Sequence, residues 1–253
     1  MRLHILPLLA ALLLPTLTTA APPEPEVVAA LRAEDPEVAV AAAEALTPKD
    51  VAAHGDALAT EVRTLAKTLH RRLLRDRDRA AGPLAVRAYR VWLAHFADRP
   101  EGAEVHNELA ELLYKLKRYE AALDEYEAVL KAPTVSAETA RSAARNAVWA
   151  GFELAKKDPG PRPERGSSDP VELSPGEARS LAAHDAFVAR YPSDPEAPDV
   201  AYGAASLLYE HNRLDEAADR LKALVESSAD SKGGQAAARL LRDLEERRAG
   251  TGG

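Results

Sequence analysis

Residues 88–133 align without a gap onto residues 183–228, an offset of 95. Pro100-Glu101 recurs as Pro195-Glu196, Val105 as Val200, and Ala110 as Ala205. Leu112-Leu113-Tyr114 returns as Leu207-Leu208-Tyr209, Arg118 as Arg213, and Ala122 as Ala217. Aromatic positions are kept in kind, Trp92 with Phe187 and Phe96 with Tyr191. Self-similarity at one long offset constrains the fold strongly. Each copy is a supersecondary unit that cannot cover its own apolar face, so neighbouring units must stack to bury it.

The units are helical. The chain is 46% hydrophobic but only 5% aromatic, and its apolar residues are mostly Ala and Leu, which favour closely packed helices over sheet. Leu58, Val62, Leu65, Leu69 and Leu73 mark one face of a helix expected over 48–80. Thr47-Pro48-Lys49-Asp50 supplies its start: a cap hydroxyl, Pro at the first helical position and an acid at the third. Arg71, Arg72, Arg75, Arg77 and Arg79 precede Gly82-Pro83 and read as a solvated helix end opposing the dipole, with a docking patch as the other reading. Asp35-Pro36-Glu37 and Asp194-Pro195-Glu196 read as further helix openings, and Ser174-Pro175-Gly176-Glu177 has the capping-box spacing. Residues 158–173, dense in Pro, Gly and Ser, have no apolar period and read as a disordered surface insertion.

Each unit resembles the tetratricopeptide repeat (TPR), a helix pair of about 34 residues. "AEVHNELAELLYKL" corresponds to helix A and "KRYEAALDEYEAVL" to helix B. Ala110 and Ala122 take the family's small positions, and Tyr119 and Tyr126 its gap-filling ones; Ala205, Leu208, Leu214, Ala217 and Leu221 are the second unit's counterparts. The chain departs from the pattern at His106 and Ala201, where the family has Trp, and at Val129 and Leu224, where it has a small residue. The resemblance implies an all-α, TPR-like helical-hairpin solenoid with an N-terminal helical segment. The expected organisation is a segment over 21–84, a first unit over 85–157, the loop 158–173, and a second unit with a capping helix over 174–249.

Residues 1–20 read as a secretory signal, with Arg2, an apolar run from Ile5 to Leu14, and cleavage after Ala20. An uncleaved anchor or a buried helix is the other reading. No further apolar segment is long enough to span a bilayer. The chain has no cysteine, which excludes disulfides, thiolate metal sites, Cys nucleophiles and a lipoprotein anchor. A formal charge of −7 argues against nucleic-acid binding. No phosphate loop, zinc spacing or nucleophile elbow is present. His54, His70, His95, His106, His184 and His211 are dispersed; His184-Asp185 are helix neighbours pointing about 100° apart, and His95 and His106 flank one turn.

These readings converge on a non-catalytic, exported and periplasmic scaffold with no cofactor or metal. Its partner would be a protein or peptide. The phrasing "ARYPSDPEAPDVAYGAASLLYEHNRLDEAADRLKALV" is similar to exported bacterial repeat proteins of outer-membrane assembly, envelope coordination and gliding motility. The family's groove, lined by helix A, would place partner contacts at Glu104, Asn107, Glu111, Tyr114 and Lys115 in the first unit. In the second it would use Asp199, Tyr202, Ser206, Tyr209 and Glu210. Tyr114 and Tyr209 have a packing reading against the next helix pair as well. Two alternatives stand beside this one: an assembly subunit docking through its terminal helices, and an accessory part of a peptidoglycan-processing system.

Overall fold

The computed structural model describes residues 25–250, and their regular structure is helical throughout; the signal reading over 1–20 lies outside them. Two short helices, α1 (Glu26–Ala30) and α2 (Pro36–Glu44), precede the long α3 (Pro48–Arg75). Then follow α4 (Ala81–Phe96), α5 (Gly102–Lys115), α6 (Tyr119–Lys131), α7 (Ala137–Lys157) and α8 (Pro175–Arg190). The series ends with α9 (Ala197–Glu210), α10 (Leu214–Ser228) and α11 (Lys232–Gly250). Consecutive helices pack as pairs, most extensively α3 with α4, α5 with α6 and α7 with α8, and each pair leans on the next. The result is an all-α helical-hairpin solenoid. Among the described residues no helix is long and apolar enough to cross a membrane.

The 95-residue offset is reproduced residue for residue. Helix α5 begins at Gly102 and α9 at Ala197; α6 begins at Tyr119 and α10 at Leu214. The turn between them is a Schellman motif in both copies. Lys117 (φ 57°) and Asn212 (φ 55°) are left-handed. The N–H of Arg118 donates to Leu113 O at 2.9 Å, and that of Arg213 to Leu208 O at 3.0 Å. The correspondence also runs beyond the aligned sequence: α7 starts at Ala137 and α11 at Lys232, each after a serine whose hydroxyl accepts from the third residue on, Ser136 from Thr139 N and Ser231 from Gly234 N.

Alanine sets the helix spacing. Ala110, Ala122, Ala205 and Ala217 are wholly buried, as are Ala143 and Ala150 on α7. At Gly151 a Cβ would stand 2.9 Å from Ser180 Cα, so α7 and α8 come close enough there to require glycine. The first core runs unbroken from Val28 and Leu31 through Trp92 and Leu109 to Ala150, so the N-terminal helices continue the solenoid rather than forming a lobe of their own. Trp92 satisfies its indole N–H on Ala59 O at 2.9 Å. Arginines tie helices across the outside: Arg87 on α4 to Glu37 and Glu44 on α2, and Arg179 on α8 to Asp124 and Glu127 on α6. Such exposed pairs contribute about 0–1 kcal/mol each, against about 1.5–3 for each fully buried large apolar side chain. Apolar stacking therefore dominates the stability.

Capping follows the sequence reading at Asp35, at Thr47 with Asp50, and at Ser174 with Glu177. Three expectations need correction. Helix α3 stops at Arg75, not near 80, because Asp78 takes Arg72 at 2.7 Å and accepts from Ala80 N and Ala81 N to start α4. Asp194-Pro195-Glu196 forms the turn before α9, with Asp194 accepting from Glu196 N at 2.9 Å and holding Arg141 at 2.6 Å. Residues 158–173 are not a disordered insertion; they lie against the α9–α10 turn. The N–H of Val171 donates to His211 O at 2.8 Å, and the Asn212 amide donates to Ser167 O and Asp169 O.

The same loop carries Arg162 to a buried ion cluster. Arg162 reaches Glu177 Oε1 at 2.7 Å, and Glu177 Oε2 lies 3.0 Å from His211 Nε2. Glu177 is 1% exposed and the His211 side chain 0%. Gly160 makes room, since a Cβ there would come within 2.5 Å of Glu177 Oε2. Burial pushes the Glu177 carboxyl up, but the Ser174 N–H, Arg162 and His211 outweigh it and leave it below the usual carboxylate range.

Two predictions follow from these contacts. Lys117→Gly relieves a left-handed residue and should raise stability by about 0.5–1 kcal/mol, whereas Asn212→Gly loses two hydrogen bonds to the loop and should cost about 1–2 kcal/mol. Urea unfolding of both variants checks the opposite signs. Because the Glu177 pKa is lower in the folded chain, its stabilisation is fully present above an unfolded value of about 4.3 and is lost as pH falls through the folded value. Glu177→Gln should cost about 2 kcal/mol at pH 7. The gap from the parent should shrink below about pH 4, read as unfolding midpoints across a pH series.

Candidate partner-binding groove

Helices α5 and α7, the first of their pairs, adjoin, as do α9 and α11, and side chains link α3 to α5, α7 to the approach to α9, and α9 to α11. Arg63 on α3 reaches Glu104 at 2.9 Å and Glu108 at 2.8 Å on α5, with Lys67 adding a second cation at 3.2 Å from Glu108. Arg141 and Arg145 on α7 face Asp194 and Glu196 at the approach to α9. Tyr209 on α9 donates to Asp243 on α11 and has the Arg247 guanidinium 5.1 Å over its ring.

Between α5 and α7 a cavity of about 260 Å³ opens, with α6 closing it. Its walls are Glu111, Tyr114 and Lys115 from α5, Tyr126 from α6, and Asn146 and Trp149 from α7. Tyr126 is buried, and burial raises its pKa above the usual phenol range. Tyr114 is half-buried, its ring 5.4 Å from that of Tyr119. Glu111 accepts from the Asn107 amide at 3.1 Å, and no lysine or arginine lies within ion-pair distance of it among the described residues. Burial raises its pKa, the Asn107 hydrogen bond and the Lys115 charge oppose the rise, and the neighbouring Glu108 charge adds to it.

Beside this cavity stand the exposed aromatics. Trp149 is 55% and Phe152 47% exposed, their rings 6.4 Å apart in an edge-on arrangement, with Lys156 5.3 Å over Phe152. In a monomeric surface, two adjoining large aromatics left in water mark an interaction site more often than a fold requirement.

Of the ten residues singled out from sequence, Glu111, Tyr114 and Lys115 share the cavity, and Asn107 holds Glu111. Glu104 is taken up by Arg63. Asp199 is exposed, and Tyr202 and Ser206 are half-buried along α9, Tyr202 against the second core. Tyr209 is committed to α11, and Glu210 lies 3.8 Å from Arg162 of the loop. Trp149, Phe152 and Asn146 were not singled out. The legible signal was "NAVWAGFELAKK": two aromatics three residues apart in an aromatic-poor chain, on a helix beyond the aligned block.

The histidines have local partners. His106 lies 2.6 Å from Glu125 rather than meeting His95; His184 is buried with Nδ1 on Ser180 O at 2.7 Å, and Asp185 points away to Arg220 on α10. Among the described residues no three His, Asp or Glu side chains are grouped to hold a metal ion. Compared with protein-family models and with curated proteins, the sequence matches neither any family nor any relative.

Tyr209 is thus placed to hold the last helix. Tyr209→Phe should lower stability by about 1 kcal/mol in urea unfolding.

Proposed function

We propose that this chain is a non-catalytic scaffold of TPR type, exported to the periplasm, whose groove binds protein or peptide partners in a cell-envelope complex. The observation that carries the reading is the exposed Trp149–Phe152 pair adjoining the Glu111–Tyr114–Lys115 cavity between α5 and α7. Large rigid aromatics give contact area at low entropic cost, and a neighbouring cavity gives a peptide side chain a place to anchor. The repeat register and the alanine-mediated stacking support the family assignment. The secretory pattern of residues 1–20 supports export. A second reading, assembly through the N-terminal end, has support from Val38 on α2, an apolar side chain 54% exposed.

A Trp149→Ala, Phe152→Ala double variant separates the two. Both side chains are about half exposed, so the double variant should stay within about 1 kcal/mol of the parent in stability. Crosslinking capture from envelope extract with the mature chain should lose its partner in this variant and keep it in Val38→Ser. Retention in the double variant with loss in Val38→Ser would move the contact to the N-terminal helices.

A further inference from the structure

The cavity between α5 and α7 has a composition that selects one kind of side chain. Three aromatic residues, Tyr114, Tyr126 and Trp149, contribute to its wall, and the carboxylate of Glu111 stands among them with an amide as its hydrogen-bond partner. Its volume, about 260 Å³, is below the ~300–1,000 Å³ of sites for drug-sized molecules and suits one side chain. The Glu111 side chain is exposed, bonded to the Asn107 amide and outside ion-pair distance of Lys115 on the same wall, so it can attract a cation entering the cavity. Aromatic faces attract the same cation through their quadrupoles. Guanidinium suits the recess better than ammonium, because it is planar, stacks on rings, pairs with a carboxylate through two parallel N–H bonds and is less strongly hydrated.

We infer that this cavity is a specificity pocket for an arginine side chain of the bound peptide. The assignment rests on the groove reading above and names what the groove recognises. Lys115, four residues after Glu111 on α5 and on the same wall, is the internal competitor. Its ammonium is outside ion-pair distance of Glu111, and its flexible stem lets it swing toward the carboxylate when the pocket is empty. The two residues therefore act in opposition: Glu111 draws the ligand cation, and Lys115 weakens its binding. An anionic ligand would invert both signs.

The chain provides its own probe, having two tryptophans, Trp92 and Trp149. Trp92 is buried with its indole N–H bonded to Ala59 O, whereas Trp149 is on the cavity wall. Two indole N–H resonances are expected in a ¹H–¹⁵N spectrum of the mature chain, assigned by Trp149→Phe. Titration with acetyl-Gly-Arg-Gly-amide should shift the Trp149 resonance saturably and leave Trp92 in place. The citrulline analogue, isosteric and uncharged, should bind about ten-fold more weakly. Glu111→Gln should weaken the arginine peptide about ten-fold, and Lys115→Gln should tighten it several-fold. An unmoved Trp149, an equal response to citrulline, or weaker binding in Lys115→Gln would each overturn the assignment. The groove reading is scored separately: loss of partner capture in the Trp149→Ala, Phe152→Ala variant alongside a silent arginine titration leaves the groove standing and removes only the arginine assignment.

Discussion

Close approach of helices at alanine is the constraint from which the other features of this molecule descend. Ala110, Ala122, Ala143, Ala150, Ala205 and Ala217 have no exposed surface, and where even alanine is too large the chain has Gly151 against Ser180. Backbones this close give dense dispersion contact for little side-chain entropy, which suits a chain with few aromatics and no disulfides. The large residues then have two places to go. Trp92, Tyr89, Tyr126 and Phe187 fill the gaps between successive pairs and are buried. Those on the face where α5 and α7 adjoin have no partner layer above them, so a large apolar residue placed there stays in water or waits for a ligand. Trp149 and Phe152 are in that position.

Most of this stacking could be read from the residues. The offset between the two copies reappears in the helix starts, because the repeated Leu-Leu-Tyr and the arginine four positions after the tyrosine bracket a Schellman turn whose hydrogen bonds are the same in both copies. Capping boxes were legible for the same reason: their chemistry is local. Long-range features were not. The loop 158–173 has a composition that alone implies disorder. Its order comes from the buried Glu177 and His211 and from the Asn212 amide, all distant in sequence from Arg162, Ser167 and Asp169. Composition cannot report a partner that only the fold delivers.

The candidate site shows the same division. Glu111, Tyr114 and Lys115 were legible because the resemblance to the tetratricopeptide repeat implies a groove along helix A, whereas Tyr126, Asn146 and Trp149 complete the cavity from two further helices. Tyr126 fills a gap in the core, as its repeat position implies, and also lines the cavity. A residue can serve packing and recognition together when the packing gap opens to the groove. Sequence position alone does not reveal where that happens.

The duplicated tyrosines, Tyr114 and Tyr209, explain why the two copies of one unit need not do the same work. They occupy equivalent places, and the helices that follow, α7 and α11, start in the same register. At the same offset, Phe152 corresponds to Arg247 and Trp149 to Leu244. In the second copy Leu244 is wholly buried, Arg247 lies over the Tyr209 ring, and Asp243 takes its hydroxyl. The second copy uses its groove positions to hold α11 down. The polar side chains of Asp243 and Arg247 fasten α11 to α9 there. In the first copy α7 is already secured from behind by α6 and α8. Its front face is released from that duty, and this is where the aromatics and the unpaired carboxylate are found. The divergence between the copies thus lies in what covers the equivalent face: Trp149 and Phe152 leave it open in the first, and Leu244, Asp243 and Arg247 close it over Tyr209 in the second.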